Sequence, residues 1–232
     1  MRSANVLSSS KFVGRYVHDK AFRASVGIYS GMVVNLAYAL FRLVVGVIDS
    51  SAWLVSSAVY FLLLGIFRAV LANSYRIRNK KGGYSYEKIW YKRTAFLLFL
   101  LNIPIGTMIL LFIKNEAKSV YPWYTIYASA AYTFYMLILS IINLARFRKF
   151  GSPILSASRV ISFIAALISL LGLQNALINE FSDRSVFFHE AMNAFTGTGI
   201  YAIIIVVEIF MVCRSANMYE VTNDEQIGEQ VF

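Results

Sequence analysis

SPILSASRVISFIAALIS, residues 152–169, is an apolar run with small residues on one side and a single charge, Arg159, inside it. A helix rises about 1.5 Å per residue, so roughly 20 apolar residues match the hydrocarbon core of a bilayer. Read outward from this run, the chain contains five more apolar blocks of comparable length. The six blocks predict spans at 25–48, 52–72, 94–113, 121–145, 153–177 and 197–213. An open chain in hydrocarbon can satisfy its backbone only as helix. The expected fold class is therefore all-α: a polytopic membrane protein with six transmembrane helices.

Composition agrees. The 232 residues are 58% hydrophobic and only 15% charged, whereas soluble domains carry about a quarter charged residues. The single cysteine, Cys213, excludes an internal disulfide and a CxxC metal site. The first 20 residues contain no apolar core, so no cleavable signal peptide is expected. Residues 1–24 then form an N-terminal segment, 25–213 the transmembrane domain and 214–232 a polar tail.

Most of the 22 Lys and Arg fall on one side of this frame. They cluster before residue 25, in the 73–93 loop (Arg76, Arg78, Lys80, Lys81) and in the 146–152 link (Arg146, Arg148, Lys149). The positive-inside rule then predicts a multi-pass protein of the cell membrane with both termini cytoplasmic. The same basic face would attract anionic lipid, which accounts for the net charge of +10 without nucleic acid. Trp53, Trp90, Tyr121 and Trp123 sit at predicted span ends, where amphipathic rings favour the interface. Pro104 predicts a kink in the third span.

A shift of 101 residues lays SAWLVSSAVYFLLL (51–64) over SPILSASRVISFIA (152–165), with Ser51 on Ser152 and Ser57 on Ser158. The first span then falls roughly on the fourth and the third on the sixth. An odd number of spans per repeat implies a 3+3 inverted repeat, which in transporters places a site near the midplane. The alternative is six unrelated spans of similar composition.

These two windows carry a resemblance. GSPILSASRVISFIAALIS (151–169) resembles the fifth helix of the cation diffusion facilitators, with Gly151, Ser152, Pro153, Leu155, Ala157 and Ser169 in matching places. SSAWLVSSAVYFLLL (50–64) is similar to their second helix, and Asn35, Arg42 and Gly46 suit their first. The resemblance implies a six-helix bundle with helices one, two, four and five as core, three and six paired beside it, and a homodimer. It also locates a departure. The family's metal ligands would fall on Tyr60, Leu64, Ile161 and Ala165, and its earlier acidic positions on Ser57 and Ser158. Zinc needs about four N, S or O donors, so no metal site and no cofactor are expected. The family's C-terminal metal-binding domain has no counterpart in the 19 residues from 214 to 232.

Arg42, Arg68, Arg159 and Glu208 lie inside the apolar blocks. Charges there are costly and point to function unless they snorkel. Arg68, about 6 Å from its span end, is read as snorkelling. Arg42, about 9 Å inside, either snorkels or turns inward. Arg159 and Glu208 lie at similar depths with opposite signs, so they are expected to face each other, as a structural ion pair or as a coupling site, unless both snorkel. The candidate lining is Ser57, Tyr60, Ser158, Arg159, Ser162 and Glu208. For these small residues close helix packing is the competing explanation.

His189-Glu190 begins an HExxH pattern without its second histidine, and no GxSxG or phosphate-binding loop occurs, so no enzyme is expected. Segment 187–195 is expected to lie along the interface as a short amphipathic helix. Two functions stay open. One is a transporter-like protein moving a small solute or ion other than a transition metal. Arginine in place of carboxylates would favour an anionic or polar solute. The other is a degenerate carrier kept as a scaffold or regulatory partner. An open polar space between the second and fifth helices favours the first; filling by Tyr60, Leu64 and Ile161 favours the second.

Overall fold

A computed structural model describes residues 20–115, 123–145, 152–181 and 186–230. Among these, the elements are helical: α1 (Lys20–Ile48), α2 (Ala52–Ile77), a 3-10 turn (Arg78–Lys80), α3 (Tyr84–Leu100), α4 (Asn102–Asn115), α5 (Trp123–Ala145), α6 (Pro153–Phe181) and α7 (Val186–Gln230). Five helical stretches are long and apolar enough to cross a membrane: Ser25–Ile48, Ala52–Lys80, Trp123–Ile142, Pro153–Ile178 and Glu190–Asn217.

The predicted third span is not one helix. It is divided at Leu101 into α3 and α4, and neither part has bilayer length by itself. Pro104 explains the division, because it has no N–H to return to the Leu100 carbonyl and its ring crowds the preceding turn. Helical bonding resumes at once, with Ile105 N–H donating to Leu101 O at 3.2 Å. Two predicted loops are also corrected: most of the 73–93 loop is helix, since α2 runs to Ile77 and α3 starts at Tyr84. Most of the 179–196 connection is helix too, since α6 runs to Phe181 and α7 starts at Val186. No Gly or Pro interrupts residues 173–196, so no breaker keeps α6 from reaching Phe181 or α7 from starting at Val186. Segment 187–195 is accordingly the first part of α7 rather than a separate interfacial helix, and the polar tail continues α7 to Gln230. The predicted N-terminal segment up to residue 19 and the basic residues Arg146, Arg148 and Lys149 lie outside the described residues.

The helix pairs follow their connections. α1 and α2 form a hairpin through a three-residue turn in which Ser50 takes a left-handed φ of 52°. Ser51 caps α2 by accepting the Leu54 N–H at 3.3 Å. Gly46 lets the two backbones close, since a Cβ there would lie 2.8 Å from Val55 N. α5 packs on α6, and α7 packs along both α3 and α4. α6 touches α1, α2, α3, α5 and α7. Its apolar stretch is 83% buried, against 28–50% for the other four, which makes it the central helix. The opposite faces carry exposed Val33, Leu40, Val44 and Val47 on α1, Phe134, Ile138 and Ile141 on α5, and Ile203, Val206 and Phe210 on α7. Such a surface suits lipid tails rather than water.

One end of the bundle is closed by charge. Gly82 and Gly83 take positive φ, 101° and 58°, and turn the chain between the 3-10 segment and α3. That reversal brings Arg78 onto Glu87 at 2.8 Å. The Arg78 guanidinium also lies 3.9 Å from the Tyr75 ring centre. The second oxygen of Glu87 accepts a hydrogen bond from the Ser152 hydroxyl at the start of α6. Nearby on α3, burial pushes the Tyr91 hydroxyl up to about 12, against the opposing pull of Arg214 on α7.

Candidate functional site

Arg42 and Arg68 are the largest surprise of the interior. Each is 1% exposed, so neither reaches for the headgroups: the snorkelling expectation is overturned for Arg68, and of the two readings left open for Arg42 the inward one holds. Glycines make the room. A Cβ at Gly31 would lie 2.1 Å from Arg68 Nη1, and one at Gly172 would lie 2.6 Å from Arg42 Nη2. The missing side chains leave each guanidinium a slot between helices, in place of the long path to the interface.

Their partners are serines. Arg42 Nη1 donates to Ser57 Oγ at 2.7 Å, and the Ser57 hydroxyl donates in turn to Leu54 O at 2.9 Å. Arg68 Nη2 donates to Ser162 Oγ, which donates in turn to Ser158 O at 3.1 Å. Arg42 also lies over the Tyr38 and Phe61 rings, at 5.2 and 5.7 Å. Among the described residues neither guanidinium meets a carboxylate, and both Nε atoms are buried with no hydrogen-bond partner. A buried ion without a counter-ion costs several kcal/mol. One hydrogen bond from a guanidinium to a hydroxyl returns about 2 kcal/mol, and a desolvated cation–π contact about 2, while each Nε–H returns nothing. The guanidiniums are thus under-compensated by the protein alone.

A polar thread joins them. Gly31, beside Arg68, is 11 residues from Arg42 on α1, about 16 Å along the axis. Between the two, Tyr132 of α5 donates to Asn35 Oδ1 at 2.8 Å. Its ring stacks on Tyr38 with centroids 3.6 Å apart, and Tyr38 donates to Ser129 Oγ at 3.2 Å. Tyr132 lies within electrostatic reach of both Arg42 and Arg68. The thread therefore runs through α1, α2, α5 and α6, offering hydroxyls and guanidinium N–H groups and no acid.

The expected lining residues divide between this thread and a second cluster. Ser57 and Ser162 are the arginine partners, and Ser158 takes part through its backbone carbonyl. Tyr60 and Glu208 belong elsewhere: Tyr60 lies within electrostatic reach of Glu208, and Asn102 Nδ2 donates to Glu208 Oε2. The expected pairing of Arg159 with Glu208 is not what the structure forms. α4 lies alongside α7 and presents Asn102 to the carboxyl, while Arg159 stays partly exposed on α6. The positions that the resemblance assigned to metal ligands are filled by packing: Tyr60, Leu64, Ile161 and Ala165 all belong to the hydrophobic core.

Arg42, Arg68, Asn102 and Tyr132 are the functional candidates that the sequence reading passed over. For the arginines the signal was present, as charges within apolar spans. The glycine slots that turn them inward are a property of helix register. No protein-family model matches this sequence, and a search of curated proteins finds no match.

Proposed function

We propose that this multi-pass helical protein is a carrier-type membrane protein whose solute is a small anion, read by Arg42 and Arg68. The observation that carries the reading is two fully buried guanidiniums with serine partners and, among the described residues, no carboxylate. A small carboxylate or oxyanion would occupy their remaining N–H groups with charge-assisted hydrogen bonds. Tyr132, Asn35 and Tyr38 would supply the polar steps between them. In this reading α3 and α4 together make one kinked crossing, giving six. The placement of Lys and Arg supports cytoplasmic termini in the cell membrane and contact with anionic lipid. The pairing of α3 and α4 with α7, beside a layer of α1, α2, α5 and α6, is the arrangement a cation-diffusion-facilitator-like bundle would have; the inverted repeat and the homodimer belong to the same proposal. A transition metal is disfavoured by the apolar filling at Leu64, Ile161 and Ala165.

The same filling favours a second reading. The space between α2 and α6 is closed by core side chains, as a degenerate carrier serving as scaffold or regulatory partner would have it. Proteoliposome flux separates the two. With small labelled carboxylates, phosphate and sulfate, the carrier reading expects uptake by the native protein and at least a tenfold loss in Arg42→Met and Arg68→Met. No flux for any of these anions favours the scaffold.

A further inference from the structure

The Glu208 cluster lies outside the arginine thread and has its own chemistry. Glu208 is 0% exposed on α7, and it sits about 13 Å from the end of the apolar stretch at Asn217. Its Oε2 accepts from Asn102 Nδ2. Its Oε1, Asn102 Oδ1 and the Tyr60 hydroxyl are all buried without a hydrogen-bond partner. Asn102 is the first residue of α4, immediately after the Leu101 kink. A helix discontinuity inside a membrane bundle is a place where transporters build ion sites.

Glu208 Oε1 has no donor. An ionised carboxylate brings only acceptors, and the amide has one acceptor oxygen. Two acceptor oxygens, Glu208 Oε1 and Asn102 Oδ1, are therefore buried without a donor in this cluster, as the Tyr60 hydroxyl is without a partner. A buried, unpaired carboxylate is among the costliest groups in a bundle. One proton on Glu208 Oε1 removes the charge and supplies the missing donor. No base is consumed and no bond to carbon changes.

We infer that Glu208, held by Asn102 and faced by Tyr60, is an exchangeable proton-binding carboxyl inside the membrane, protonated in the resting protein. The groups around it leave that role to Glu208. α2 faces it with Tyr60, and α4 with neutral Asn102. The charged residues of α3 (Glu87, Lys88, Lys92 and Arg93) all precede its apolar half. Arg159 of α6 is partly exposed, whereas Glu208 is buried. On α7 itself the nearest charge is Arg214, six residues on, which acts on Tyr91. The inference does not depend on anion transport, because its readout needs no flux.

Infrared spectroscopy of the full-length protein in lipid tests it. At neutral pH a protonated-carboxyl C=O band is expected above the amide I region, moving down in D2O and missing in Glu208→Gln. In Asn102→Ala the band should persist at higher frequency, since its carbonyl loses the amide donor. That variant keeps the test valid if Glu208→Gln misfolds. A native spectrum without the band, or a band unchanged in both variants, overturns the inference. So does a band that sodium chloride abolishes at fixed pH, which would make this a metal-cation site.

Discussion

Arg78 and the pair Arg42 and Arg68 are the same side chain in two opposite settings. Arg78 sits at one end of the bundle, partly exposed, with a carboxylate at 2.8 Å and an aromatic ring beneath it. Arg42 and Arg68 sit in the core, fully buried, with serine hydroxyls and unpartnered Nε atoms. The first arrangement is complete, and its geometry links the end of α2, the start of α3 and the start of α6. The second is incomplete, and in the proposed reading its cost is tolerated for the sake of an anion. A charge that the fold satisfies holds helices together; a charge that the fold leaves short of partners is available to a ligand.

The largest expected effect comes from removing the space that makes the core arginines possible. Gly31→Val would drive a side chain into Arg68, whose Nη1 lies 2.1 Å from even a Cβ. Overpacking of this kind costs up to about 3 kcal/mol, visible as a lower melting temperature in detergent and loss of any anion response. Retained stability and an intact response would show that Arg68 has another path, and would break the contrast with Arg78.

A smaller loss is expected from the closed end. Glu87→Ala removes the acceptor of both Arg78 and Ser152. Charged hydrogen bonds of this kind contribute about 2 kcal/mol, reduced somewhat by the access of Arg78 to water. The variant should unfold more easily while its anion binding is unchanged. A change in anion binding without a change in stability would give this end a functional role and remove the distinction drawn above.

Much of this was legible in the residues. Apolar block length found all five apolar stretches, because hydrocarbon thickness and helical rise fix the count; 25–48, 121–145 and 153–177 agree closely, whereas the second runs on to Lys80 and the last already starts at Glu190. The α1–α2 turn and the Pro104 kink followed from local chemistry. The errors were of two kinds. Polar residues were taken to end helices at 179–196 and after 213, although polar composition without Gly or Pro does not break a helix. Contacts between distant helices were also read from depth alone. Depth made Arg159 and Glu208 look like partners, whereas rotation about each helix axis puts Glu208 on Asn102, 106 residues away. Arg68 looked like a snorkelling residue because nothing local shows that Gly31 and Ser162 leave it a slot.

The central claim is that Arg42 and Arg68 are kept for an anion and not for stability. Thermal unfolding of the purified protein across a panel of small anion salts with one shared cation tests it most directly, comparing native protein with Arg42→Met and Arg68→Met. A buried ion replaced by an apolar side chain of similar length is often neutral or stabilising. The expectation is therefore a melting temperature in both variants equal to or above the native value in the absence of the anion. At least one anion should raise the native melting temperature and leave both variants unmoved. Variants that melt as early as Glu87→Ala, with a native protein indifferent to every anion, would contradict the account and make the two arginines structural.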